Sequence, residues 1–241
     1  MADAGPARLA AALAGAGISG DLVAGSRRLT GGTFNAVHLV TLAAGTRLVV
    51  KIPPGPDTPL LRYEQGILGT EALFYQLAGQ CREVTVPSVI AVEATGAAGG
   101  YLVMTQCPGS PWPEVAPKPS GAERDQLRAA LGALVARVHT ITGSGFGYPS
   151  ESVGPLRETW RAAFLDMVDA VLADAGTYPV TLPAGGTVTF DFAARRRLSL
   201  YRTYLNLIMW VEAVPRQASR ERVDWLHGRV FQPLAAALDE E

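Results

Sequence analysis

Lysine is nearly missing from this chain. Lysine and arginine together number 21 among 241 residues, yet Lys51 and Lys118 are the only lysines. In so arginine-biased a composition a lysine inside a strand pattern is conspicuous. Lys118 lies in the proline-rich run Ala116-Pro117-Lys118-Pro119 and reads as an exposed loop residue. Cysteine is equally scarce. Cys81 and Cys107 form no Cys-x-x-Cys and no Cys/His ligand spacing, so a zinc site is not indicated and two free thiols are expected. Charge of one sign is lacking too. A net charge of -1 implies no general attraction to nucleic acid or an anionic membrane. Arg195, Arg196 and Arg197 read as a solvated helix start. No apolar run is long enough to span a bilayer, and the densest, Leu205 to Val211, reads as a buried core helix. The alanine-rich N-terminus has neither a basic n-region nor a continuous apolar h-region. A cytoplasmic protein is expected.

The remaining composition, 48% hydrophobic, suits a folded domain with a real core. Residues 6–17 read as a short helix with Pro6 near its start. Leu29 to Val40 reads as strand, glycine turn, strand. Ala43-Ala44-Gly45-Thr46 is a hairpin turn, and Arg47 to Ile52 is a third strand stopped by Pro53 and Pro54. Residues 59–79 are helical, although Gly66 and Gly69 interrupt the pattern. Val86 to Val92 opens another strand, and Gly99-Gly100 turns into Tyr101-Leu102-Val103-Met104. Prolines 108, 111, 113, 117 and 119 then mark a linker.

Beyond the linker the pattern is helical. Ser120 and Glu123 form a capping box opening a helix with Leu127, Leu131, Leu134, Val135 and Val138 on one stripe. A second helix starts near Pro155, a third runs from about Phe192 to Val214, and a last begins near Ser219 and bends at Pro233. The pattern predicts an α+β chain in three parts: residues 1–107, strand-rich; 108–119, a linker; and 120–241, helical.

Three features carry chemistry. The turn Thr30-Gly31-Gly32-Thr33 has the glycines either to cover phosphates with backbone N–H groups or to close a plain hairpin. Lys51 stands among Val49, Val50 and Ile52, where an ammonium is costly unless it is paired or binds an anion. An acidic partner is expected on the next helix. Glu64 and Glu71, seven residues apart, share roughly one helical face, and Glu71 is favoured.

Taken in order, these segments resemble the aminoglycoside phosphotransferase family of small-molecule kinases over residues 27–176. Gly31-Gly32-Thr33-Phe34-Asn35-Ala36-Val37 is similar to its nucleotide loop. Arg47 to Lys51 is similar to its lysine strand. Met104-Thr105-Gln106-Cys107-Pro108-Gly109 is similar to its adenine hinge, and Leu134 to His139 with Phe146-Gly147-Tyr148 to the helix and turn that follow. The resemblance implies a protein-kinase-like bilobal fold and ATP as phosphoryl donor. It implies nucleotide contacts from Gly31, Gly32, Thr33, Asn35, Lys51, Glu71, Gln106 and Cys107, with a hydroxyl of a small molecule as acceptor. Mg²⁺ is also implied.

The departure from the family is as informative. Such kinases use a His-x-Asp loop and a second, metal-binding aspartate. His38, His139 and His227 are followed two residues on by Val40, Ile141 and Arg229. Asp191-Phe192-Ala193 reads as a helix N-cap rather than a metal-binding aspartate. The segment Tyr178 to Val188, around Pro183 to Gly186, reads as the join left by an internal deletion. Catalytic residues are therefore not assigned, and no metal ligand is identified. The expected function is an impaired ATP-dependent phosphotransferase; the alternative is a nucleotide-binding pseudokinase, or a non-catalytic remnant or interaction protein. A missing segment would also expose apolar surface and favour self-association.

Overall fold

The computed structural model describes residues 5–30, 34–94, 100–115, 119–178 and 194–228. The chain divides into two compact units: Met1–Pro56 with Gly66–Ser144, and Asp57–Gln65 with Gly145–Glu241. The fold is α+β, with the strands in the first unit and the second helical.

The first unit is built on a five-stranded antiparallel sheet of order β1-β2-β3-β5-β4, comprising β1 (Val23–Leu29), β2 (Ala36–Leu42), β3 (Arg47–Ile52), β4 (Val89–Glu93) and β5 (Tyr101–Thr105). Alternation along the strands gives each sheet face its own cover. Leu48, Val50 and Ile52 of β3, with Ala36, Val40, Tyr101 and Val103, pack against Leu9, Ala12 and Leu13 of α1 (Pro6–Gly15). Leu102 and Met104 of β5 face the other way and meet Leu68 and Ala72 of α2 (Ile67–Ala78), with Val49 packed alongside. Val40, Val50, Leu102 and Val103 are fully buried, each stabilising the unit by about 1.5–3 kcal/mol relative to exposure. The β4–β5 turn requires glycine at Gly100. Its φ is +84°, and a Cβ there would stand 2.6 Å from the Glu93 carbonyl oxygen.

A four-residue helix, α3 (Trp112–Val115), and the long α4 (Gly121–Val138) complete this unit. The capping box of α4 forms as the sequence predicts: Ser120 N–H donates to Glu123 Oε2 at 2.7 Å, and Glu123 N–H donates to Ser120 Oγ at 3.3 Å. The apolar stripe of α4 behaves otherwise. None of its residues is buried, and Leu131 is 61% exposed. Periodicity selects a face of a helix, but it does not supply what covers that face.

The second unit contains α5 (Trp160–Thr177), α6 (Ala194–Val211) and α7 (Arg220–Leu226). Leu61, Val171, Ala175, Leu207 and Val211 form its core, flanked by Tyr63, Tyr178, Tyr204 and Ile208. Phe164 stacks edge-on with Tyr201 and Tyr204. In the apolar run of α6, Leu207 and Val211 are buried but Leu205 is exposed.

Several boundaries differ from the pattern reading. β1 begins at Val23, upstream of Leu29. Its sequence VAGSRRL has no alternation because residues 24–28 are all exposed. The helix expected over 59–79 is a single 3-10 turn, Arg62–Glu64, followed by α2. Gly66, at φ +70°, separates them by adopting a conformation that most side chains resist. α5 starts at Trp160, capped by Thr159 Oγ1, rather than at Pro155. Gly99, Lys118, the expected join after Tyr178, Asp191 and Pro233 lie outside the described residues.

Candidate functional site

Because Leu48, Val50 and Ile52 take the α1 face of the sheet, Lys51 shares the α2 face with Val49. Its register partners are Val37 on β2 and Leu102 on β5, so its stem runs over apolar strand surface. The ammonium ends in an ion pair with Glu71 Oε1, both side chains being about one-fifth exposed (21% and 23%). The same oxygen accepts a hydrogen bond of 2.8 Å from the Tyr75 hydroxyl, one helical turn further along α2. Burial, and after it the Glu71 carboxylate, push the Tyr75 hydroxyl well above its ordinary pKa, so it remains a donor. Cys107 is close enough to add to that rise. Lys51 and Glu71, expected as partners from the sequence, thus meet beside Tyr75. Sequence reasoning missed Tyr75; its signal was the i, i+4 spacing from Glu71.

The hinge residues follow β5. Gln106 N–H donates to the Arg47 carbonyl at 3.2 Å, which extends the sheet by one bond. A base meeting Gln106 would therefore find its carbonyl rather than its amide. Cys107 is a free, half-buried thiol, as is Cys81. Asn35 directly precedes β2, and its buried Oδ1 has no hydrogen-bond partner among the described residues. Gly31, Gly32 and Thr33 lie outside the described residues.

The other candidate carboxylate, Glu64, belongs to the second unit. It is buried, accepts from Leu61 N–H at 2.9 Å through Oε2, and pairs through Oε1 with Arg216 at 2.6 Å. Arg216 also reaches Glu212 at 2.9 Å, and Glu212 accepts from the Tyr63 hydroxyl at 2.8 Å. Arg62 pairs with Asp174 at 3.2 Å, and Tyr178 donates to the Leu60 carbonyl at 3.0 Å. This network ties the segment Asp57–Gln65 to the helices of its own unit, and it claims Glu64 for structure.

The sequence profile described as the phosphotransferase enzyme family matches residues 26–238, which takes in every one of the site residues above. The chain belongs to the phosphotransferase enzyme family. A search of curated protein sequences gives no significant match. Among solved structures, the chain is similar to APH(2")-IIa in a ternary complex with streptomycin and ATP, with 13% identity and a TM-score of 0.44 over 86% of this chain and 60% of that one. It is also similar to aminoglycoside phosphotransferase APH(4)-Ia, with 17% identity and a TM-score of 0.41 over 79% and 56%. A thermostable mutant of APH(4)-Ia, in ternary complex with ADP and hygromycin B, shows 15% identity and a TM-score of 0.49 over 95% and 98%. The chain thus spans less than two-thirds of the length of the first two.

For the Mg²⁺ implied by the family resemblance, the described residues bring no donor set together. Among the described residues no group of three or more His, Cys, Asp or Glu is placed to hold a metal ion. No helix among them is long and apolar enough to cross a membrane.

Proposed function

We propose that the first unit is the nucleotide-binding part of an ATP-dependent phosphotransferase acting on a hydroxyl of a small molecule, and that phosphoryl transfer is strongly impaired in the chain as it stands. The observation that carries this reading is the Lys51–Glu71 pair on the α2 face of the sheet. An ammonium has three N–H donors. Glu71 takes one, and the others are suited to phosphate oxygens. The carboxylate offsets the cost of holding the charge on a largely apolar strand. The Gln106 carbonyl and the backbone of Cys107 are the proposed contacts for the base, and Asn35 with the Gly31-Gly32-Thr33 turn the contacts for the phosphates. Complexes of the similar proteins with ATP or ADP and an aminoglycoside accord with a nucleotide and a polyhydroxylated acceptor.

The impairment rests on two observations. No histidine is followed by aspartate at the second position, and the described residues offer no metal-ligand cluster. Phosphoryl transfer depends on positioning and charge neutralisation, so losing both carboxylates costs many orders of magnitude in rate. The same observations favour a second reading, a nucleotide-binding protein without catalysis.

Thermal unfolding with and without about 1 mM Mg-ATP tests both. At a Kd near 10 μM the ligand stabilises by about 2.7 kcal/mol, or roughly 5–10 °C for a chain of this size. The shift is expected in the native chain and absent in Lys51→Ala. No shift in the native chain would end the nucleotide reading. A shift accompanied by slow ATP turnover favours the impaired enzyme, and a shift with none favours the binding protein.

A further inference from the structure

Two donors converge on one carboxylate oxygen in the first unit. Oε1 of Glu71 accepts from both Lys51 and Tyr75. The Tyr75 ring is fixed independently of that bond. It packs on the cluster of Leu68, Ala72, Leu102 and Met104, the last two from the strand leading to the hinge. A hydroxyl anchored on a packed ring has little freedom, whereas a glutamate on a helix surface has three side-chain torsions to spend. We propose that Tyr75 is a positioning residue for nucleotide binding. Its hydroxyl holds Glu71 in the rotamer that meets Lys51, and so sets the direction in which the ammonium is presented to phosphate. Lys51 and Glu71 are separated by twenty residues and sit on different elements. Tyr75 supplies the local i, i+4 restraint that makes their meeting reproducible.

The inference rests on the nucleotide-site reading for its purpose but not for its test. Lys51 is one of only two lysines, so its reactivity can be followed without nucleotide. The full chain is treated with a limiting acylating ester, and modification of Lys51 relative to Lys118 is read by peptide mass spectrometry. This is done in the native chain, Tyr75→Phe, Glu71→Gln and the double variant. An ammonium held by Glu71 is protected. Tyr75→Phe is expected to raise Lys51 acylation roughly 3–10-fold, the scale of the net contribution of one ordinary hydrogen bond. In the Glu71→Gln background the same change is expected to add nothing, because its effect passes through the carboxylate. An effect of Tyr75→Phe that persists undiminished beside Glu71→Gln would make Tyr75 a packing residue and overturn the proposal. So would unchanged acylation in Tyr75→Phe. Mg-ATP binding is measured in parallel. Its absence from the native chain would sink the nucleotide reading alone, and the acylation series would still decide the role of Tyr75.

Discussion

Glu64 and Glu71 lie seven residues apart and have the same chemistry, yet they serve opposite ends. Glu64 is 3% exposed, and both of its oxygens are engaged, one by Leu61 N–H and the other by Arg216. Glu71 is 23% exposed and gathers its two donors on one oxygen. The first arrangement is saturated and closed to solvent, which makes it a fastening for Asp57–Gln65. The second is half open and leaves donor capacity on its lysine, which suits a ligand. Placement and saturation, rather than residue type, separate the structural carboxylate from the one proposed to serve a ligand.

The widest gap between the two should appear in stability. Glu64→Ala takes one carboxylate from Arg216 and frees the Leu61 amide, and we expect a loss of about 3 kcal/mol in urea unfolding. Lys51→Ala should cost less than about 1 kcal/mol without nucleotide, since its pair is partly solvated. A large loss there would turn the Lys51–Glu71 pair into a second fastening and erase the contrast. Smaller still is Leu131→Glu on the exposed stripe of α4, expected within about 0.5 kcal/mol of the native chain. A loss well beyond that would show that the stripe is covered, for instance by a second copy in solution, which sedimentation would reveal.

The least effect concerns an exposed pair at the surface of the second unit. Arg157 holds Asp166 through bonds of 2.6 and 3.2 Å, and this hydrogen bonding lowers the Asp166 pKa. A carboxylate with a depressed folded-state pKa contributes stability that is fully present above the ordinary value near 4 and is lost as the pH falls through the folded value. Asp166→Asn should therefore lower neutral stability slightly and flatten the acid limb of the pH–stability curve by the same small amount. An acid limb identical to that of the native chain would remove this pair from the account.

Lys51 was legible because a charge in an apolar strand demands a reason, and the capping box of α4 because its signature is local. The choice between Glu64 and Glu71 rested on less. On an unbroken helix they share a face, and their separation arises at Gly66, where the backbone turns left-handed and the chain passes from one unit to the other. β1 was legible only at its end, since an exposed edge strand has no core to impose alternation on its sequence. The network of Tyr63, Arg216 and Glu212 depends on residues some 150 positions apart, and no local spacing announces it. Tyr75 lay in plain view one turn beyond Glu71, but a tyrosine at that spacing gains meaning only when its ring is seen to be packed.

The two borders of the sheet are unequally defended against aggregation. β1 carries Arg27 and Arg28 side by side and an irregular register near Gly25. Charge and local twist of this kind discourage an incoming strand. β4 shares the irregular register but exposes Ile90 and Val92. Its backbone edge offers apolar company to a strand from another molecule, so fibre growth or strand exchange would begin at β4 rather than at β1.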